Sequence, residues 1–196
     1  MSAWVDFRAG LQDCLSGLRF TGANGLPLSA EEGFMLWAEQ GKKLRDSGNC
    51  LYCIGNGASA SMASHYAADI GKNGRIRAFT FTDAALLTAI GNDVSFEQIY
   101  AQPLLRVATR HDMLLAISSS GNSPNIIAAI KAAGEIGMHV VTLSAMRPDN
   151  TCRSLGMLNI YVPAKTYGLA ETAHSAVLHY WTDMLVAQVE TCRADG

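Results

Sequence analysis

Four serines lie close together in a short segment, Ser118-Ser119-Ser120-Gly121-Asn122-Ser123. An apolar run that predicts a strand precedes it, and Ser123 and Pro124 fit the N-cap and first residue of a helix. Hydroxyls and backbone N–H groups at a helix N-terminus suit an anion. The nucleotide P-loop pattern is absent, so a monophosphate on a small molecule is the favoured ligand. An ordinary serine-rich turn is the alternative interpretation.

A second turn, Gly55-Asn56-Gly57-Ala58-Ser59, also lies between an apolar strand and a helix. Alone it is weak evidence for a site, because glycine-rich turns between strands and helices are often purely structural. Beside the serine loop it carries more weight, since the two turns could face each other across one ligand.

The helix that follows this turn carries His65 and Asp69, four residues apart and so on one face. This spacing suits two metal ligands, or a base with its neighbour, and a hydrogen-bonded surface pair is the alternative. We expect Asp69 to point toward the same edge of the sheet as the serine loop. Further along, Asp93 of a Gly-Asn-Asp turn is either a ligand for a sugar hydroxyl or a helix-capping residue.

The last predicted helix carries Glu171, His174 and His179. Eight residues of helix rise about 12 Å, so Glu171 and His179 of one chain cannot comfortably bind the same ion. Either they serve one site from different subunits, or the helix begins late. A packed core histidine is the alternative interpretation, and it is stronger for His174 than for His179.

Composition restricts the class of protein. Apolar residues make up 49% of the 196 and charged residues 16%, against about 25% charged in typical soluble domains. Because the chain is so apolar and carries so few charges, we expect it to bury much of its surface in contacts with copies of itself. The net charge is −2 without runs of Lys or Arg, so neither nucleic acid nor an acidic membrane is an expected partner. We find no membrane-spanning or secretory segment, and a cytoplasmic location is the default expectation.

The five cysteines are an odd number, which argues against a disulfide framework. Cys50 and Cys53 form a C-x-x-C pattern within a predicted buried strand. Residues three apart in a strand point to opposite faces, so these two are poorly placed to share a metal or a disulfide. We expect them to be core residues.

Alternating patterns predict an α/β fold. We expect helices over residues 2–20 and 29–46, the second opened by a Ser29–Glu32 capping box and followed by Gly48. Further helices start near residues 58, 83, 95 and 123, and a final one covers 169–191. Strands are expected at 50–54, 77–82, 112–117, 139–144 and 157–162. Buried strands alternating with helices indicate a parallel sheet covered on both faces, with both polar turns at its carboxyl edge.

Together these motifs resemble the SIS (sugar isomerase) domain family, and within it the phosphoheptose isomerases. The resemblance covers nearly the whole chain and rests on several motifs. They are the turn at 55–59, His-Tyr-Ala-Ala-Asp at 65–69, Leu-Thr-Ala-Ile-Gly-Asn-Asp at 87–93, the serine loop at 117–123 and the histidine pair at 174 and 179.

The resemblance implies a single SIS domain over residues 1–196, with a helical leader at 1–48 and an α/β core at 49–196. The implied fold is a five-stranded parallel sheet flanked by helices, in a homotetramer with active sites at subunit interfaces. The implied reaction converts sedoheptulose 7-phosphate into an aldose heptose 7-phosphate for surface polysaccharide, without a nucleotide cofactor.

Site residues follow from the same resemblance. Asp69 and His179 match the catalytic pair, and zinc would be bound through His65, Asp69, Glu171 and His179. The matching substrate-binding residues are Asn56, Gly57, Ser59, Asp93, Ser118, Ser119, Ser120, Ser123 and Glu171.

This chain departs from the family pattern around the sugar rather than around the phosphate. Asp69 replaces the usual Glu, Glu171 the usual Gln and Leu169 the usual Arg. Segment 70–74 is shorter than usual, and residues 146–149 lack a Gly-Gly-Lys. Two other functions therefore stay open: isomerisation of another phosphosugar, and non-catalytic binding of a phosphosugar or of a protein such as a replication initiator.

Overall fold

The computed structural model describes the backbone of residues 3–194 and the side chains of residues 3–190. Residue 2 of the first predicted helix and the side chains of Thr191 and Cys192 lie outside this range. Within it, the chain forms one central sheet with helices on both faces. None of the described helices is long and apolar enough to cross a membrane.

The sheet has seven strands in the order β2-β1-β7-β6-β5-β3-β4. Strands β3 to β7 are parallel to one another and confirm the five predicted strands, although β4 ends three residues early. The strands are β1 (Arg19–Gly22), β2 (Pro27–Leu28), β3 (Cys50–Gly55), β4 (Arg77–Phe79), β5 (Met113–Ser118), β6 (His139–Ala145) and β7 (Leu158–Val162).

The expected count of five strands is therefore too low by two, and the predicted helical leader also contains two short strands. Strand β1 pairs antiparallel with β7 and with β2, and so extends the sheet at one edge. The first helix ends at Ser16 rather than at residue 20, because the chain turns to form this strand. Phe20 then points into the core beneath the second helix, where it is 2% exposed.

The helices are α1 (Ala3–Ser16), α2 (Ala30–Ser47), α3 (Ala58–Lys72), α4 (Ala84–Asp93), α5 (Ala101–Val107), α6 (Pro124–Ile136) and α7 (Tyr167–Ala194). Short 3-10 turns cover 23–25, 96–98 and 151–154. The helix predicted to start near residue 95 is one of these turns followed by α5. The other predicted helix starts are confirmed to within two residues.

The ends of α2 follow the predicted capping chemistry. The Glu32 backbone N–H donates to Ser29 Oγ at 3.2 Å, and the Ser29 N–H donates to Glu32 Oε2 at 2.8 Å. Gly48 ends the helix in a left-handed conformation with φ +69°. The helix is thereby fixed at both ends before it packs on the sheet.

Two apolar layers enclose the sheet. On one face, α2, α3 and α7 cover the strands, and Trp37 stacks on Trp181 with ring centroids 4.1 Å apart. On the other face, α4, α5 and α6 pack on a second cluster of buried side chains. Cys53 belongs to the first cluster and Cys50 to the second, so the predicted opposite orientation of the C-x-x-C pair is confirmed.

The strand order reverses between β3 and β5. The chain leaves β3 toward β4 on one side, and it leaves β5 toward β6 on the other. Ligands of open parallel sheets bind in the crevice that such a reversal leaves at the carboxyl ends of the strands. Gly55 of β3 is the register partner of Ile117 of β5, so the two polar turns begin side by side.

The Ser29 cap predicts a stability effect. Ser29→Ala removes the side-chain acceptor for the Glu32 N–H and should lower the free energy of unfolding by about 1 kcal/mol. Urea denaturation at one fixed protein concentration measures it. Ser29→Asp is the matched control, since it keeps an acceptor oxygen, and equal losses in both variants would contradict the capping role.

Candidate active site

The crevice between the two turns holds a small polar cavity of about 180 Å³. Both turns and the start of α7 line it, so the predicted meeting of the turns is confirmed. Its lining residues are Asn56, Ser59, Ile117, Ser118, Ser119, Ser120, Ser123, Tyr167 and Glu171.

Hydroxyl groups of the serine loop converge at the N-terminus of α6. Ser123 Oγ lies 3.4 Å from both Ser118 Oγ and Ser120 Oγ. Ser123 occupies the predicted N-cap position, yet its hydroxyl caps no backbone N–H of the helix. The hydroxyl cluster and the positive end of the helix dipole therefore face the cavity together, which favours an anion.

Gly121 gives the serine loop its shape. It has φ +64°, and a Cβ placed there would lie 2.0 Å from Asn150 Oδ1. Its N–H donates to the Ser118 carbonyl at 2.9 Å, which closes the turn. A side chain at this position would force the loop away from Asn150, so glycine is required here.

A reciprocal pair of amide hydrogen bonds joins the two turns. Asn56 Nδ2 donates to Asn125 Oδ1 at 2.9 Å, and Asn125 Nδ2 donates to Asn56 Oδ1 at 2.8 Å. The Tyr100 hydroxyl also donates to the Gly55 carbonyl, which ties the first turn to the adjacent layer of helices. These contacts hold both walls of the cavity at a fixed separation.

Charge is scarce around the cavity. Glu171, from the second turn of α7, is the charged side chain among the lining residues described by the structure. The Ser119 hydroxyl is buried and has no hydrogen-bond partner among the described residues. Hydroxyls, backbone N–H groups and the α6 dipole, rather than Lys or Arg, must therefore attract an anion into this cavity.

A second cluster lies on the outer surface where α3 packs against α7. His65 Nε2 lies 3.3 Å from Asp69 Oδ2, which confirms that they share a face. The His179 ring lies 6.0 Å from the His65 ring and 4.9 Å from the Tyr66 ring, measured between centroids. Both members of the acid–histidine pair remain accessible, with 58% of the His65 side chain and 31% of the Asp69 side chain exposed.

Tyr66 supports this cluster from below. Its hydroxyl contacts both the carbonyl and the hydroxyl of Ser175 at 2.9 Å, which links α3 to α7. Burial raises the pKa of the Tyr66 phenol, and the Asp69 charge acts in the same direction. Tyr66 therefore stays neutral at physiological pH and holds the face on which His179 packs.

The cluster does not lie at the serine cavity of its own chain. Asp69 is ten residues along α3 from Ser59, a rise of about 15 Å, because the helix runs away from the carboxyl edge of the sheet. The expectation that Asp69 points toward the serine loop is therefore wrong for a single chain. Asp69, His65 and His179 are absent from the cavity lining.

The proposed four-residue zinc set is likewise divided. Helix α7 begins at Tyr167, so a late helix start does not bring Glu171 and His179 together. Eight helical residues, about 12 Å of rise, separate them. Among the described residues, no group of three or more His, Cys, Asp or Glu side chains is arranged to hold a metal ion.

Two other predicted residues lie outside the cavity lining. Gly57 is exposed at the start of α3 with φ +55°, where it shapes the turn. Asp93 is exposed at the end of α4, and its carboxylate accepts a hydrogen bond from Asn92 Nδ2 at 2.8 Å. Neither residue contacts the serine loop through a described hydrogen bond.

Sequence reasoning missed three residues that shape these sites. Asn125 forms hydrogen bonds with Asn56, and Tyr167 lines the cavity. The ring of Tyr66 packs against the ring of His179. Asn125 had a usable signal, since a polar residue in the first turn of an otherwise apolar helix invites a partner outside it. The other two depend on how α7 packs, which no local pattern specifies.

Comparison with known proteins identifies the family. The SIS domain family matches residues 39–145, which contain both turns and the His65–Asp69 pair. The chain belongs to the SIS domain family. The α/β architecture expected from the sequence is that of this family.

Several proteins similar to this SIS domain are named phosphoheptose isomerase. Phosphoheptose isomerase of Dechloromonas aromatica (strain RCB) is 39% identical over 148 residues, or 71% of this chain and 75% of that protein. Phosphoheptose isomerase GmhA from Neisseria gonorrhoeae superposes with a TM-score of 0.80 at 27% identity, covering 93% of this chain and 94% of that one. A phosphoheptose isomerase from Francisella tularensis shares the fold, with a TM-score of 0.78 at 22% identity and coverage of 94% and 98%.

The hydrogen-bonded pair of Asn56 and Asn125, here called the asparagine clamp, should contribute to stability as a unit. Asn56→Ala leaves the amide of Asn125, which is 2% exposed, without its partner and should cost about 1–3 kcal/mol of unfolding free energy. Adding Asn125→Ala should cost less than the sum of the single changes, because the pair acts as a unit. Chemical denaturation of the double-mutant cycle measures this, with exposed Asn92→Ala as control. Strict additivity would contradict the clamp.

Proposed function

We propose that this SIS domain is a phosphosugar aldose–ketose isomerase that converts sedoheptulose 7-phosphate into D-glycero-D-manno-heptose 7-phosphate. The main support for this function is that one chain combines a hydroxyl-lined anion cavity with the accessible His65–Asp69–His179 cluster. A module that only binds a phosphosugar needs the cavity but not the cluster. The shared name of the relatives favours the heptose substrate.

In this proposal the serine loop binds the phosphate. Ser118, Ser119, Ser120 and Ser123 direct hydroxyls at its oxygens, and the α6 N-terminus adds its dipole. Asn56 and Ser59, from the facing turn, would contact the adjacent sugar hydroxyls. Gly57, Asp93 and Glu171 keep the substrate-binding roles assigned from the family resemblance.

Asp69 and His179 carry the proton transfers. Asp69 removes a proton from C1 of the open-chain ketose to give an enediol, and the proton returns to C2. His179 gives a proton to O2 and takes one from O1, since imidazole exchanges protons near pH 7. His65, 3.3 Å from Asp69, holds the carboxylate in place.

The separation of about 15 Å along α3 makes the active site a shared one. A heptulose phosphate bound through its phosphate presents its reacting carbons at the far end of the molecule. The cluster on the α3–α7 surface of one protomer would therefore act on substrate held by the cavity of another. Exposed apolar side chains support such an assembly, among them Trp4 of α1 and Met35 of α2.

A zinc ion would be bound only where two chains meet. His65, Asp69, Glu171 and His179 of one chain do not fit a single ion. In an assembly, Glu171 of one protomer could join the cluster of another around zinc, which would polarise the substrate carbonyl. Zinc content measured in wild type and in Glu171→Ala addresses this point.

Such an isomerase would belong to a cellular pathway that builds surface sugars. We infer a cytoplasmic homotetramer whose product supplies heptose for lipopolysaccharide or capsule. The whole chain acts as one domain in this view, with residues 1–48 serving assembly and residues 49–196 carrying the site.

Removing one cradle hydroxyl should weaken phosphosugar binding. Ser120→Ala deletes a hydrogen bond to a charged group, and we expect a loss of about 1–3 kcal/mol in binding free energy. Isothermal titration with the sugar phosphate measures it. Ser154→Ala, which alters an exposed hydroxyl away from the cavity, is the control. Unchanged affinity in Ser120→Ala would contradict the cradle.

Removing either proton-transfer group should abolish turnover without unfolding the protein. Asp69→Asn and His179→Ala should each lower kcat by at least about a hundredfold. Isomerisation is followed by NMR, after circular dichroism and light scattering show that fold and assembly are intact. Glu135→Gln, an exposed acid on α6, is the control. Full activity in both variants would overturn the assignment and favour a non-catalytic binding role.

Shared active sites predict complementation between inactive variants. Ser120→Asp blocks the cradle and Asp69→Asn blocks the cluster, so each should be inactive alone. Mixed tetramers formed by co-expression should regain about a quarter of the wild-type sites, because intact halves then meet across subunit interfaces. Light scattering should give a tetramer mass at micromolar concentration. A monomer, or no recovered activity, would contradict the shared site.

A further inference from the structure

Several buried polar atoms lie together beneath the serine loop. The hydroxyls of Ser119 and Ser144 and the Asn150 Oδ1 atom have no hydrogen-bond partner among the described residues. The two ring nitrogens of His174 are also buried, and the Ser144 backbone is the polar group that one of them meets. Ser144 belongs to the end of β6, and Ser119, Asn150 and His174 lie against this end at Ser144–Ala145. Buried polar groups without partners are uncommon in proteins and call for a physical explanation.

The end of β6 connects these atoms to the serine loop. The Ala145 N–H donates to the Ser119 carbonyl at 3.1 Å. Asn150 Nδ2 donates to the Ala145 carbonyl at 3.2 Å, and the Asn150 side chain packs directly against Gly121. A displacement of Ser144–Ala145 would therefore move both Ser119 and Gly121, the two residues that shape the turn.

His174 is the side chain on α7 that meets this segment. It is fully buried, one turn after the cavity residue Glu171, and its ring lies beside the main chain of Ser144. Burial lowers the pKa of His174 to about 4, against a smaller opposite effect of the Ser144 backbone. The ring is thus neutral at physiological pH, with one N–H donor and one acceptor nitrogen.

A purely apolar role does not account for this histidine. Ala170 and Ala173 of the same helix, together with Ala145 and Val162, belong to a cluster of small and aliphatic buried residues. An apolar side chain of similar size would fill the same space without the cost of desolvating two ring nitrogens. Because the ring lies beside Ser144, the imidazole can form a polar contact with the backbone at the end of β6.

We propose that His174 is a positioning residue for the anion cradle, holding the Ser144–Ala145 end of β6 and, through it, the Ser119 turn in the arrangement that accepts a phosphate group. The N–H of the ring donates toward the Ser144 carbonyl, and the other nitrogen is available to a serine hydroxyl of this cluster. His174 does not touch the anion. This inference rests on the proposed anion site, and it is independent of the proton-transfer roles of Asp69 and His179.

The test compares a polar with an apolar replacement of similar size. In the full-length protein, His174→Met removes both ring nitrogens, and His174→Gln keeps one donor and one acceptor. We expect inorganic phosphate to bind about five- to tenfold more weakly to His174→Met, the effect of losing one supporting hydrogen bond. His174→Gln should stay within about twofold of wild type. Sugar-phosphate KM should rise with the phosphate Kd while kcat is unchanged.

Thr182→Val is the matched control, because Thr182 is buried two turns further along α7 and its hydroxyl bonds to the Leu178 carbonyl. It should leave the phosphate Kd unchanged even if it lowers stability. Wild-type affinity in a folded His174→Met protein, or equal weakening in the Met and Gln variants, would overturn the inference. Failure of the wild-type protein to bind phosphate would instead overturn the anion site itself.

A measurement on the unmodified protein covers the case in which His174→Met does not fold. Two-dimensional ¹H–¹⁵N NMR of the imidazole groups, assigned through the signals lost in His174→Gln, reports the neutral ring directly. Titration with inorganic phosphate should shift the His174 signals as the cradle fills. Saturating phosphate binding with unmoved His174 signals would overturn the inference.

Discussion

The reversal of strand order between β3 and β5 is the constraint on which the rest of this structure depends. It places two strand ends side by side, with Gly55 and Ile117 in register, while the chains that leave them diverge. The crevice between them is held by the reciprocal amide bonds of Asn56 and Asn125. The serine hydroxyls of both turns are positioned by this arrangement, and the end of β6 supports the serine loop through the hydrogen bond from the Ala145 N–H to the Ser119 carbonyl.

The electrostatics of the site follow from how few charges it contains. Glu171 is the charged lining residue, so an anion must be held by hydroxyls, N–H groups and the α6 dipole. Such a site holds a phosphate group in one position through directional hydrogen bonds, rather than attracting it through the charge of Lys or Arg side chains. His65, Asp69 and His179 lie instead on the α3–α7 surface, and the rise of those helices sets their distance from the cavity. Under the proposed function, binding and proton transfer are divided between two surfaces of one chain, and assembly then becomes part of the chemistry.

Local sequence signals were sufficient for much of the fold. The apolar runs predicted all five parallel strands, and Ser29, Glu32 and Gly48 marked the ends of α2 correctly. Strands β1 and β2 were missed because four and two residues are too few to show an alternating pattern, and they form only by pairing with β7. The serine loop was identifiable from its residues alone. The distance of Asp69 from that loop was not, because residue types give the face of a helix but not which edge of the sheet that face reaches.

Solvent exchange during turnover tests the central claim most directly. The protein is incubated in D2O with a panel of C5–C8 ketose phosphates, and the products are read by NMR. The account predicts that the C7 ketose 7-phosphate is converted to its aldose with deuterium from solvent at C2, since an enediol intermediate exchanges its proton through the catalytic base. Tight binding of that sugar phosphate, with neither aldose formation nor deuterium incorporation for any member of the panel, would contradict it.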